Sequence, residues 1–246
     1  MTKTIAMINN KGGVGKTTVT AHVAYALATF HAKRVLMVDF DPQANLSASF
    51  GVYDNPEAGN TAHGKALAPL ALSDTLHLIP STIDLENTEE SLTMQQNVYA
   101  LQTALAPLAS NYDFILIDCP PRLSMLPRNA LYAASDVCMI SDTGYFTQLG
   151  LANIIQFVEN VRAERPQLTL SSVILSRYDS RRAASKEVRE IFQREFGELY
   201  LDTPIRETAA IVEATAQQKT VFQHKKNSLA SKDFKTLTQQ FLNRYE

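Results

Sequence analysis

Asn10-Lys11-Gly12-Gly13-Val14-Gly15-Lys16-Thr17-Thr18 is the stretch whose reading decides the fold. It follows the apolar run Thr4-Ile5-Ala6-Met7-Ile8, which reads as a buried strand. An Ala-rich segment over 19–30 comes next, and its apolar spacing predicts a helix. Strand, glycine loop and helix, in that order, is the setting of a phosphate-binding loop. Glycines let backbone N–H groups turn inward and approach phosphate oxygens without Cβ clashes. The helix N-terminus adds partial positive charge. On that reading Gly12, Gly13, Val14, Gly15 and Thr18 form the phosphate cradle, Lys16 reaches the β- and γ-phosphates, and the Thr17 hydroxyl is a Mg²⁺ ligand.

The apolar runs that follow lay out the rest of a sheet. Arg34-Val35-Leu36-Met37-Val38 ends in Asp39-Phe40-Asp41-Pro42-Gln43-Ala44-Asn45, where Pro42 and Asn45 stop the strand and make a loop. Further strands are predicted over 76–80, 113–117, 137–141, 171–176 and 199–203. Helices are predicted over 84–109 in two pieces, then over 125–134, 150–165, 184–196, 209–217 and 228–245. Residues 52–72 carry the weakest pattern, with a short helix expected near 61–67, and 142–149 reads as a loop. Strands alternating with helices imply an α/β fold: a doubly wound, mostly parallel sheet of about seven strands with helices on both faces, the P-loop NTPase fold. The chain has no repeat and no low-complexity linker, so a single domain over 1–246 is expected.

In such sheets ligands bind at the carboxyl ends of the strands. The glycine loop, the Asp39/Asp41 pair and Asp118 all fall at such ends. Asp118 closes an apolar strand as a Walker B acid does. Mg²⁺ keeps several waters and takes few protein ligands, so Thr17 directly and Asp118 through water would suit it. Asp39 and Asp41 lie two apart, and an extended backbone would point both to one side. A carboxylate beside a γ-phosphate can orient the attacking water.

With 45% hydrophobic and 20% charged residues in 246, the composition is that of an ordinary globular protein. No apolar run approaches the roughly 20 residues that span a membrane. The chain enters its first strand at once, so no signal peptide is expected. Cys119 and Cys138 sit in apolar strand contexts and read as buried free thiols, which fits a cytoplasmic location. The net charge of −2 is unevenly spread: residues 162–246 hold 15 Lys and Arg against 11 Asp and Glu, and the remainder holds 8 against 14. That asymmetry suits a polyanion-binding surface and equally a solvated face.

The loop departs from the ordinary phosphate-binding pattern, with Asn10 where glycine is usual and an additional Lys11. Lys-Gly-Gly-Val-Gly-Lys-Thr-Thr resembles the deviant Walker A box of the ParA/MinD family, most closely the ParA partition ATPases of Soj type. The resemblance continues through the D-x-D-P-Q-x-N segment at Asp39–Asn45, Asp118-Cys119-Pro120-Pro121, Leu131–Asp136, Gly144–Gly150 and Tyr178-Asp179-Ser180-Arg181. It is specific in the first half of the chain and looser after Pro204. It implies ATP and Mg²⁺ as cofactors and an ATP sandwich dimer in which Lys11 reaches the partner's nucleotide. Lys11, Lys16 and Asp41 then act in catalysis, with Asp41 positioning water, and Thr17, Asp39 and Asp118 serve the metal. It also implies non-specific, nucleoid-associated DNA binding and release when a ParB-like or other adaptor stimulates hydrolysis. Arg181 matches the family's DNA-contacting arginine. Arg182, Lys186, Arg206, Lys219, Lys225 and Lys226 join it on charge alone, and a solvated surface is as good a reading of each singly.

Two relatives offer other readings. A MinD-type membrane ATPase requires a basic amphipathic C-terminal helix. Residues 228–245 have an apolar stripe, but the opposite face is mostly Thr, Gln and Asn, which suits core packing. A nitrogenase-reductase-like carrier requires exposed cluster-ligating cysteines, and Cys119 and Cys138 do not read as such. The family's larger plasmid members carry an N-terminal DNA-binding extension. The chain starts at the strand before the glycine loop, so site-specific operator binding is not expected of it.

Overall fold

The computed structural model describes residues 1–52, 67–81, 84–144 and 147–246. In chain order the elements are β1 (Lys3–Ile8), α1 (Lys16–His31), β2 (Val35–Asp39), α2 (Asn45–Ser49), β3 (Leu70–Ala71), β4 (Leu76–Ile79), α3 (Leu85–Met94), α4 (Ala100–Ala109) and β5 (Phe114–Asp118). They continue with α5 (Met125–Ala133), β6 (Asp136–Ser141), α6 (Thr147–Glu164), β7 (Thr169–Leu175), α7 (Ala183–Phe196), α8 (Ala209–Ala216), α9 (Val221–His224) and α10 (Leu229–Tyr245). Among the described residues the strands form a seven-stranded sheet ordered β3-β4-β2-β5-β1-β6-β7. Every pairing is parallel except β3 with β4.

The continuous apolar runs follow from burial on both faces. Successive side chains of a strand point to opposite sides, and here each side meets a helical layer. Ala6, Ile8, Leu36, Val38, Ile115, Ile117, Val137 and Met139 pack on one face with α4, α5 and α6. Ile5, Met7, Val35, Met37, Phe114, Leu116, Cys138 and Ile140 pack on the other with α1 and α10.

The sequence expectations fail at a few edges. The apolar run at 199–203 adds no strand. Leu201 N–H donates to the Val173 carbonyl and Tyr200 makes an isolated bridge to Val173, so the segment only brushes β7. Asn45, expected in a loop, opens the helix α2 over 45–49 behind Ala44, whose φ of 50° turns the chain into it. The glycine-loop helix begins at Lys16. Residues 61–66 of the helix expected near 61–67 and the Tyr145–Phe146 part of the Gly144–Gly150 segment lie outside the described residues.

The C-terminal helix α10 spends its apolar stripe on the core: Ala230, Phe234, Leu237, Phe241 and Tyr245 are buried. Among the described residues no helix is long and apolar enough to cross a membrane. Its closest tie to α1 is His22. The ring stacks on Phe234 at 4.3 Å between centroids. Nδ1 lies 2.7 Å from the Thr18 carbonyl and Nε2 accepts the Val221 N–H at 3.0 Å. Those partners require Nδ1–H and a bare Nε2, the neutral imidazole, and burial holds the pKa down to about 4. A folded-state pKa below the ordinary 6.5 contributes stability that is complete above pH 6.5 and is lost as pH falls towards about 4. Urea unfolding followed across that window is expected to lose on the order of 3 kcal/mol from this group. His22→Gln should be less stable overall but should lack that component of the acid slope. An unchanged slope would contradict the assignment.

Candidate functional site

The parallel topology brings the carboxyl ends of β1, β2, β5, β6 and β7 to one edge, where the sequence placed its candidates. Register is specific there: Asp118 pairs with Met7 on one side and with Asp39 on the other. Between β1 and α1 the loop turns through Gly13 at φ 76° and Gly15 at φ 91°, conformations that favour glycine. A Cβ on Gly15 would also stand 3.1 Å from Ser176 Oγ.

The loop is clamped from β6 and β7. Asn9 Nδ2 donates to the Ile140 carbonyl, and Asn9 Oδ1 accepts the Lys11 N–H at 2.7 Å. Ser176, just past β7, donates through Oγ to the Val14 carbonyl. Arg177 Nη1 donates to the Gly13 carbonyl at 2.8 Å while Nη2 holds Glu207 at 2.7 Å. Sequence reading missed Ser176 and Arg177 as parts of the site. Arg177 was visible only as the start of a basic run.

Gly12, Gly13, Gly15, Lys16, Thr17 and Thr18 line a cavity of about 450 Å³ together with Asp41 and Gln43. Val14 is buried behind the loop. Lys16 is buried, with Nζ 3.4 Å from the Lys11 carbonyl. Thr17 Oγ1 donates to Asp118 Oδ2 at 2.6 Å. Asp39 and Asp41 are neighbours, with the Asp41 N–H donating to Asp39 Oδ1 at 3.4 Å. Asp39 is fully buried, and its Oδ2 accepts the Ser47 N–H at 2.7 Å and the Ser47 hydroxyl at 2.6 Å. The Ser47 oxygen in turn accepts the Ser81 N–H at 3.0 Å. Asp41 lines the cavity, and its Oδ1 accepts the Gln43 N–H at 3.0 Å.

A sequence profile described as an AAA domain matches residues 2–170. The chromosome-partitioning ATPase Soj of Thermus thermophilus is 34% identical over 244 residues, which is 98% of this chain and 96% of the relative. A ParA family protein of Chlamydia muridarum is 33% identical over 250 residues, covering 98% and 97% respectively. This chain belongs to the ParA family. Among solved structures, the cobyrinic acid a,c-diamide synthase of Mycobacterium smegmatis with bound ATP analog and magnesium is similar, with a TM-score of 0.83 at 30% identity over 100% of this chain and 96% of that one.

In this ParA family member Lys16, Asp39, Asp41 and Asp118 are all buried. Burial raises Asp118 to about 7, with Asp39 adding to the rise, and the Thr17 hydrogen bond and Lys16 pull the other way. Burial raises Asp39 to about 6 against the Ser47 hydrogen bonds. Burial also lowers Lys16, which Asp118, Cys119 and Asp41 partly offset. Among the described residues no three His, Cys, Asp or Glu side chains form a metal-ligating group. The Thr17 hydroxyl with the Asp118 carboxylate is a hard-oxygen pair of the sort Mg²⁺ takes alongside phosphate and water. The thiols lie inside: burial pushes Cys138 up to about 12 and raises Cys119 further.

The basic candidates do not form one cluster. Arg181 makes a two-pronged pair with Asp179, Nε and Nη2 each at 2.9 Å, and Arg182 reaches the same carboxylate at 3.4 Å. Lys186 is exposed in the first turn of α7. Arg206 is drawn instead to Asp233 of α10, with Nε at 2.8 Å, and Lys225 to Glu213 of α8 at 2.6 Å. Lys219 and Lys226 are exposed on the connections flanking α9.

Gly15→Ala should destabilise the nucleotide-free protein by about 1–3 kcal/mol in denaturant melts, the range for a side chain forced into the left-handed region. A neutral result would contradict the left-handed turn at Gly15.

Proposed function

We propose that this chain, as a single domain over 1–246, is a partition or positioning ATPase. It binds ATP with Mg²⁺, pairs with a second copy across the nucleotide, holds DNA without sequence preference, and releases it when a ParB-like or other adaptor stimulates hydrolysis. The observation that carries the reading is the buried Lys16 lining one glycine-rich cavity with Asp41 and Thr17, with Thr17 bonded to Asp118.

On this reading the backbone N–H groups of Gly12–Thr18 and the Lys16 ammonium hold the phosphates. Mg²⁺, when bound, neutralises phosphate charge and would be held by Thr17, with Asp118 and Asp39 behind it. Asp41 accepts a hydrogen bond from the attacking water and aligns it. Lys11 completes the neighbouring copy's site, so turnover depends on pairing. A cavity of about 260 Å³ between Gly13, Gly15, Arg177 and Ile205–Val212 adjoins the cradle and would take the base. Arg181, Arg182 and Lys186 stand together at the start of α7 and are the favoured phosphate contacts. Arg206, Lys225 and Lys226 are secondary, since Arg206 and Lys225 are paired with carboxylates at side-chain exposures of 34% and 51%, whereas Arg181 and Arg182 stay 87% and 71% exposed beside Asp179. The protein would act in the cytoplasm on nucleoid DNA. A MinD-like membrane attachment through α10 is the weaker reading, because its apolar stripe is packed against α1.

Lys16→Ala should abolish binding of a fluorescent ATP analogue, and full retention would rule out the cradle. Asp41→Ala should retain binding but lose turnover by on the order of 10²-fold or more, the usual weight of a positioned proton acceptor. Turnover at the parent rate would remove Asp41 from its role. DNA binding should require ATP. With three phosphate contacts log K should fall with log salt at a slope of about −3, shrinking by about one for Arg181→Glu. Liposome co-sedimentation without DNA binding would favour the membrane reading instead.

A further inference from the structure

Lys11, the lysine that sets this loop apart, is already engaged. Its Nζ lies 2.8 Å from Asp142 Oδ2, and the lysine side chain is 49% exposed against 14% for the aspartate. Asp142 directly follows β6, the strand that pairs with β1, so both residues close the same sheet edge from neighbouring strands. The seat is shaped for the contact. Gly144 N–H donates to Asp142 Oδ1 at 3.1 Å, and Asp142 Oδ2 accepts from the Lys11 ammonium at 2.8 Å. A Cβ on Gly144 would stand 2.8 Å from Lys11 Nζ and 3.1 Å from Asp142 Oδ1, so the ammonium fits because that position lacks a side chain. The Lys11 backbone is fixed separately through Asn9 and Lys16, so the side chain can swing without disturbing the loop.

We propose that Asp142 is a positioning residue that parks the Lys11 ammonium within its own chain. Lys11 reaches the phosphates of a second copy only by exchanging this carboxylate for them. The proposal rests on the paired-copy reading above. The exchange trades one anion for another and forms or breaks no covalent bond. A second copy without a γ-phosphate offers fewer anionic oxygens than one carrying ATP, so the parked state is favoured when ATP is absent. The contact acts as a threshold on association. Its strength is that of a partly exposed ion pair, equivalent to about two- to five-fold in the association constant.

The test measures ATP- and Mg²⁺-dependent association by analytical ultracentrifugation in an Asp41→Ala background, which keeps ATP intact. Asp142→Asn removes the charge. Gly144→Ala crowds the seat without changing charge. Both should tighten association by about two- to five-fold, and both effects should vanish when combined with Lys11→Gln. A parallel readout needs no pairing: acylation of Lys11 by a water-soluble N-hydroxysuccinimide ester, read by mass spectrometry on nucleotide-free protein, should speed up in Asp142→Asn. Unchanged or weaker association in Asp142→Asn, an effect that persists with Lys11→Gln, or unchanged acylation each overturns the proposal. A parent chain that never associates with ATP overturns the paired-copy reading together with the exchange. A parent that associates normally while Asp142→Asn matches it overturns the exchange alone.

Discussion

The parallel pairing of β5 between β1 and β2 is the constraint on which the rest depends. It sets Asp118 level with Met7, near the end of the strand that leads into the glycine loop, and level with Asp39 at the end of the neighbouring strand. A slip of one residue would turn every side chain of β5 to the opposite face. Asp118 would then leave Thr17, and Ile115 and Ile117 would exchange layers with Phe114 and Leu116. Because both faces are filled, the sheet tolerates no such slip. The core therefore holds the register that the chemistry requires.

The same burial makes the site electrostatically loaded. Asp39 and Asp118 are adjacent acids in a dry place, and each is pushed well above the ordinary carboxylate range. Lys16 offsets part of this for Asp118, and Ser47 answers Asp39 with its N–H and its hydroxyl. Ser47 also takes the Ser81 N–H, so one hydroxyl joins the ends of β2 and β4 to α2. A dication arriving beside Thr17 would relieve the remaining strain between the acids.

Much of this was legible in the sequence, for identifiable reasons. The interior strands could be read because two-sided burial leaves continuous apolar runs. The cradle could be read because glycines, lysine and threonine sit at contiguous positions. The run at 199–203 misled because apolar residues at the end of a layer are buried by helices as readily as by strands. Helix α2 was hidden because Pro42 and Asn45 signal a turn, and the turn they make leads directly into it. Ser47, Asp142 and His22 had no local signal. Their roles come from partners far away in the chain, at Asp39 and Ser81, at Lys11, and at Val221 and Phe234. The basic residues were countable in sequence, but which of them already serve a carboxylate was not.

The connection from β7 to α7 carries Arg177, which grips the Gly13 carbonyl, and Arg181 and Arg182, which face solvent beside Asp179. A second path runs from the Asp142 turn, where Thr143 accepts the Ser185 hydroxyl of α7 at 3.2 Å. The cradle and the basic end of α7 are thus joined twice over short distances. Two sites joined in this way obey reciprocity. On the proposed function, whatever factor an occupied cradle adds to the hold on a polyanion, the bound polyanion adds to the hold on the cradle's occupant, and salt that strips the polyanion away removes that gain.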